Sequence, residues 1–140
     1  MKKLISISIF MVFVAILSSC SSHPKTPTDV VDVYMSAMQN RQYEKIRDLI
    51  YVEPGMSAEV EKEMKDMHMN MLGEKASRII DSAGGITSYE NLAEHIYDEE
   101  TPPQEAIVIT KVTYGSGQSQ EQNTRLLKAE DGKWYIALSK

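Results

Sequence analysis

The feature that most constrains this 140-residue chain is a change of texture at Gly84-Gly85. Before that pair, apolar residues recur at three- and four-residue intervals. After it, Ile, Val, Thr and Tyr alternate with polar residues between clusters of turn formers. The first pattern gathers apolar side chains on one face of a helix, the second on one face of a strand. A single domain that runs helices first and strands second is expected to be α+β, with N-terminal helices packed on an antiparallel sheet.

The first helix is expected over about 28–40, with Thr28 as N-cap, Asp29 and Asp32 near the positive end of the dipole, and Val30, Val31, Tyr34 and Met38 on one face. Tyr43, Ile46, Leu49 and Ile50 mark a second short helix that ends before Pro54-Gly55. Ser57 opens a third, whose stripe of Val60, Met64, Met67 and Met71 is expected to be buried while Glu59, Glu61, Glu63, Lys65 and Asp66 cover the rest, with continuation past Gly73 towards Ile80.

Four strands follow, at about 86–97, 106–114, 120–127 and 133–138. Thr101-Pro102-Pro103, Gly115-Ser116-Gly117 and Glu130-Asp131-Gly132 supply the turns of an antiparallel meander. Ala106, Val108, Thr110, Val112 and Tyr114 share one face of the second strand, and Trp134, Ile136 and Leu138 one face of the fourth. Those faces should meet the helices, giving a curved four-stranded sheet.

The other strong signal is N-terminal. Lys2-Lys3 precede an apolar run of about 14 residues, Leu4 to Leu17, shorter than the ~20 needed to span a bilayer. Leu17-Ser18-Ser19-Cys20 resembles the lipobox of bacterial lipoproteins, in which the cysteine takes a diacylglycerol and becomes the acylated N-terminus. Cys20 is the only cysteine, so no disulfide partner competes for it. The expected organisation is a signal peptide at 1–19, a lipidated cysteine and flexible tether at 20–27, and one folded domain at 28–140. Two or more acyl chains anchor stably, so the membrane is a partner through the lipid alone. Ser21 in place of an aspartate leans towards the outer membrane, facing the periplasm. His23, in the Pro-bearing tether, is expected to have no partner.

Charge narrows the partners further. Lys2 and Lys3 leave with the signal, so 13 Lys+Arg face 20 Asp+Glu in the mature part, a balance of −7. Phosphate backbones are repelled by such a surface and no basic stripe offsets it, so nucleic acid is excluded as a partner.

Three stretches carry a family likeness: Thr28-Asp29-Val30-Val31, Ala106-Ile107-Val108-Ile109 with Val112-Thr113-Tyr114-Gly115, and Asp131-Gly132-Lys133-Trp134-Tyr135-Ile136. With the order of elements they resemble the DUF4878 family of bacterial lipoproteins, over most of residues 27–138. That resemblance implies an NTF2-like, cystatin-like fold, a cone-shaped half-barrel whose open end could hold a ligand. It implies no catalytic residues.

Chemistry within the domain is sparse. Met64, Met67, His68, Met69 and Met71 offer soft ligands for Cu(I) or Ag(I), but a straight helix cannot converge them on one ion, and core packing explains most of them. His95 and Asp98 are the candidates for acid-base work in an NTF2-like enzyme, against a reading of His95 as a solvated strand residue and Asp98-Glu99-Glu100 as a solvated turn. No Gly-x-Ser-x-Gly elbow or phosphate loop occurs. The expectation is a non-enzymatic envelope binding or interaction module, without cofactor, engaging a small molecule, a peptide or an envelope protein. Tyr34, Met38, Tyr114 and Trp134 are the residues expected to line its pocket, with core packing as the competing use of all four.

Overall fold

The computed structural model describes residues 23–98 and 102–138. The signal expected at 1–19 and the lipidation expected at Cys20 lie outside the described residues. Among the described residues no helix is long and apolar enough to cross a membrane.

Helix α1, Pro27–Gln39, begins two residues earlier than Thr28 would set it. Thr26 is the N-cap, its hydroxyl accepting from the Asp29 N–H at 3.1 Å. Pro27 occupies the first helical position, where a missing N–H costs nothing. Thr28 is thereby freed for β1: its N–H and hydroxyl both donate to Glu94, at 3.0 and 2.9 Å. The apolar spacing of α1 buries Val30, Val31, Met35, Ala37 and Met38. A short α2, Glu44–Arg47, precedes α3, Ala58–Met71, which Ser57 caps by accepting from the Val60 N–H. A π-helical turn, Leu72–Ala76, carries the chain without a break into α4, Ser77–Ser82.

The sheet is a four-stranded antiparallel meander in sequence order: β1 Ile86–Ile96, β2 Glu105–Tyr114, β3 Ser119–Lys128 and β4 Trp134–Ile136. Register shifts at Ile86/Ser88 and Asn91/Ala93 bend the edge strand β1. At the other edge the chain after α2 closes on β4, with Tyr51 N–H donating to Ile136 O (2.8 Å) and Ile136 N–H to Leu49 O (2.7 Å).

The inner face of β2 is as expected: Ala106, Val108, Thr110 and Val112 are buried. With Leu126, Trp134 and Ile136 they pack against Val30, Val31, Met35 and Leu49. Burying each large aliphatic among these stabilises by roughly 1.5–3 kcal/mol relative to exposure. A second cluster, Ala37, Met38, Ile46 and Leu72, joins α1, α2 and the π turn. Polar pins set how α1 lies on the sheet. Asn91 donates to Asp32 at 2.6 Å and accepts from the buried Thr110 hydroxyl at 2.8 Å, so the one hydroxyl in the middle of the core face is satisfied.

Two further expectations change. The stripe Val60, Met67, Met71 faces solvent, 50%, 67% and 48% exposed, and α3 buries no residue fully. Its inward side is Glu61, Met64, Lys65, His68 and Met69, leading to buried Leu72. Lys65 can lie there because its ammonium pairs with Glu61 one turn earlier (3.0 Å) while its stem covers apolar surface. Arg47 on α2 meets Asp66 at 2.5 Å, which orients α3 on the domain. His23 also has partners: its Nε2 lies 2.7 Å from Trp134 O, and its ring sits 4.6 Å from that of Tyr135.

Candidate functional site

A recess of about 360 Å³ opens between α1, α3 and the inner side of β3. Its wall takes Tyr34 from α1, Ile46 and Ile50 from the α2 region, His68 from α3, Gln122 and Thr124 from β3, and Ile136 and Leu138 at the end of the chain. Each side chain arrives for a local reason. Tyr34 stands at the border of the two core clusters and packs against both. His68 lies on the inward side of α3, four residues from Met64. Gln122 and Thr124 are on the inner face of β3, two residues apart, in a stretch that runs past the end of β4.

The recess is uncharged apart from one paired cation. Among the described residues no carboxylate lines it. Arg125, at its edge, is forked onto Glu105 at 2.9 and 3.0 Å, which holds that carboxyl below its usual range. Burial, with Tyr114 nearby, raises the Tyr34 pKa, and burial lowers that of His68. At neutral pH the first is a protonated phenol and the second a neutral imidazole. Among the described residues neither finds a hydrogen-bond partner. The Gln122 amide nitrogen donates to Met35 Sδ at 3.3 Å, which leaves its carbonyl oxygen as an acceptor. The wall therefore offers neutral donors and acceptors above an aliphatic floor of Ile46, Ile50 and Ile136.

Of the four residues expected to line a pocket, only Tyr34 reaches this one. Tyr114 is half-buried at the end of β2, close enough to act electrostatically on Tyr34. Met38 and Trp134 are buried in the core, Trp134 with the Lys128 ammonium 5.9 Å from its ring centroid. Gln122 escaped the sequence-based list, and His68 stood on it only as a soft-metal ligand. His68 was visible as the odd residue in a methionine run, but nothing local marks Gln122.

The remaining candidates do not gather. Met64 and His68 turn inward while Met67 and Met71 turn outward, so the four do not surround one point. Among the described residues no group of three or more His, Cys, Asp or Glu could hold a metal ion. His95 is exposed on β1, 4.3 Å ring to ring from Tyr97, beside a hollow of about 450 Å³ with Ile107 and Ile109. Asp98 belongs to a different, wider hollow of about 1000 Å³ with Tyr51, Pro102, Pro103 and Lys128. Among the described residues His95 and Asp98 thus line different hollows.

No family model matches the chain, and no curated protein matches it in sequence. Among solved structures it is similar to a Campylobacter jejuni protein provisionally described as an NTF2-like transpeptidase, with a TM-score of 0.65 and 17% identity over 81% of this chain and 99% of that one. A SEC-C motif containing protein from Rhodopseudomonas palustris matches at a TM-score of 0.49 and 13% identity, over 89% of this chain and 84% of that one. At such identities a likeness speaks for architecture alone. The helices on a four-stranded antiparallel sheet, together with the first of these structures, show an NTF2-like fold.

Proposed function

We propose that the chain is a lipid-anchored bacterial envelope lipoprotein whose domain is a non-enzymatic binding module, holding a small neutral molecule with an apolar body and one or two polar groups. One observation carries the ligand class: the Tyr34 hydroxyl and the His68 imidazole face one recess without partners among the described residues, and burial disfavours the charged form of both. Unpaired polar groups against an aliphatic floor are the usual composition of a small-molecule site. A charged ligand would find no counter-ion among them, Arg125 being engaged by Glu105.

The anchor rests on the lipobox-like Leu17-Ser18-Ser19-Cys20 and on the likeness to DUF4878 lipoproteins in the stretches quoted above. Such an anchor would put the protein in the cell envelope, and Ser21 after the cysteine favours the outer membrane, facing the periplasm. Only Ser21 and Ser22 separate Cys20 from His23, which is held on β4. At up to ~3.6 Å per residue, that edge of the domain would lie within about 11 Å of the lipidated cysteine.

An enzyme is the second reading, and the description of the Campylobacter jejuni protein as a transpeptidase is what favours it. Acyl transfer needs a nucleophile, and among the described residues the recess wall offers the hydroxyls of Tyr34 and Thr124 and the imidazole of His68. A thermal-shift screen of neutral polar small molecules separates the readings. A binding module gives a raised Tm that Tyr34→Phe and His68→Leu abolish, with the compound recovered intact. Chemical conversion of the compound would transfer the case to the enzyme.

A further inference from the structure

The hollow that holds Asp98 continues into a second one. The first measures about 1000 Å³, and it shares Tyr51, Pro54, Ala129 and Glu130 with a neighbour of about 480 Å³. The two form one groove between the loop at 51–56, Pro102-Pro103 before β2, and the turn between β3 and β4. Backbone hydrogen bonds fix its walls: Tyr51 N–H to Ile136 O at 2.8 Å, and Lys128 N–H to Gln104 O and Ala129 N–H to Lys133 O at 2.9 Å each. A groove held in this way loses little freedom when it is filled. Tyr51, Pro54, Pro102, Pro103 and Ala129 make the wall of the larger hollow mainly apolar, and its prolines have no N–H to offer an anion.

The charges along the groove are unequal. Asp48, Glu53, Glu61, Asp98, Glu130 and Asp131 line it, against the ammonium groups of Lys65 and Lys128. Lys65 pairs with Glu61 at 3.0 Å. Asp131 accepts from the Tyr135 hydroxyl and the Lys133 N–H, and the charges of Lys133 and His23 act on it. Of the cations just outside, Arg47 and Lys62 are held by Asp66, and Lys45, three residues before Asp48, can be set against that carboxylate. With all these cations so counted, Glu53, Asp98 and Glu130 remain, exposed and without an ion-pair partner among the described residues. Lys128 alone of the lining cations is left to oppose them, and its ammonium lies 5.9 Å from the Trp134 ring centroid, within cation–π range.

We infer that this groove binds an extended, lysine- or arginine-bearing peptide segment of a partner protein. The aliphatic stems of its side chains would lie on Tyr51 and the prolines, and their cations would meet Glu53, Asp98 and Glu130. Charge complementarity selects this occupant. Anionic headgroups and nucleic acid are repelled by the same carboxylates, and a second copy, itself carrying 20 Asp+Glu against 15 Lys+Arg, would bring like charge. Size selects a chain over a small amine. The two hollows together exceed the roughly 300–1,000 Å³ that a drug-sized ligand fills, and only an extended ligand occupies both. The groove shares no lining residue but Ile50 with the recess, so its occupancy does not depend on the small-molecule reading.

The test is calorimetric titration of the full chain with a synthetic Lys-Pro repeat of about eight residues, roughly 25 Å long in its extended form. Affinity should fall steeply with salt. Glu53→Gln/Glu130→Gln should raise Kd by about tenfold, a loss of about 1.4 kcal/mol, and Lys128→Gln should lower it. Glu90→Gln/Glu121→Gln removes the same charge from β1 and β3 nearer the other end of the sheet, and should leave Kd almost unchanged. All five positions are exposed, so these variants keep the fold. Absence of binding, equal binding of a Glu-Pro repeat, unchanged affinity in the Glu53/Glu130 variant, an equal loss in the Glu90/Glu121 variant, or spermine binding as tightly as the peptide would each overturn the proposal.

Discussion

His23 Nε2 lies 2.7 Å from the backbone oxygen of Trp134, across 111 positions of sequence. The ring also meets Tyr135, so the segment before α1 is fastened to β4. A part-buried hydrogen bond of this kind contributes about 1 kcal/mol net. His23→Ala should lower urea-unfolding stability by about that amount and speed proteolysis of residues 23–26 while the core stays protected. Unchanged stability together with unchanged cleavage would mean the contact holds nothing.

Tyr135 and Asp131 should leave a mark on both limbs of the pH-stability curve. The Tyr135 hydroxyl donates to Asp131 Oδ2 at 2.6 Å. Burial, reinforced by that carboxylate, pushes the tyrosine up to about 12. Asp131 is held low, first by Tyr135, then by the Lys133 N–H and by the charges of Lys133 and His23. A raised tyrosine contributes stability that is complete below about pH 10 and lost as pH rises through about 12. A depressed aspartate contributes stability present above about pH 3.9 and lost as pH falls through its folded-state value. Tyr135→Phe should remove the alkaline loss and shrink the acid one. Spectrophotometric titration of tyrosinate checks the first and urea melts at acid pH the second.

Gly115 crosses Gly84 too closely for any side chain. A Cβ there would stand inside contact distance of the Gly84 carbonyl oxygen and 2.8 Å from its carbonyl carbon, both backbone atoms that cannot swing away. The crossing is tied by Gly115 N–H to Gly85 O and Ser116 N–H to Ala83 O, each 2.9 Å. Gly115→Ala should cost about 1–3 kcal/mol, as overpacking does. Gly117→Ala, with open space but φ of 88°, should cost about 1–2 kcal/mol from backbone conformation alone. Chemical denaturation of the two variants distinguishes clash from strain.

Much of the fold was legible because its signals are local. Ala106, Val108, Thr110 and Val112 alternate, and alternation fixes a strand and its buried face within a few residues. The start of α1 was misplaced by two residues: Thr28 looked like the cap, whereas Pro27 takes the first helical position and Thr26 caps it. The orientation of α3 was not legible. Its sequence carries two stripes, Val60/Met67/Met71 and Met64/His68/Leu72, and the choice between them depends on the Lys65–Glu61 pair and on Arg47 holding Asp66, a contact from another helix. The recess was hidden for the same reason: Tyr34, His68 and Gln122 come from three distant segments, and only the packing of α1 and α3 on the sheet sets them around one space.

Acidification should weaken whatever the recess holds. Burial lowers the His68 pKa, so the folded state prefers the neutral ring. Between that value and the ordinary 6.5 the unfolded state binds more protons, and stability falls as pH drops through this window. Proton resonances of the His68 ring should titrate below pH 6.5, and ligand affinity should decline over the same interval. His68→Gln should bind with no such pH dependence.

The most direct measurement is mass spectrometry of the protein taken from the membranes of its native host, wild type beside a Tyr34→Phe/His68→Leu variant, with small molecules extracted from each. The account expects both chains to have the mass of residues 20–140 plus acyl groups, and a neutral compound to accompany the wild type and be missing from the variant. The same compounds from both chains, or none from either, would contradict the recess as a binding site. A chain without acyl groups would contradict the anchor.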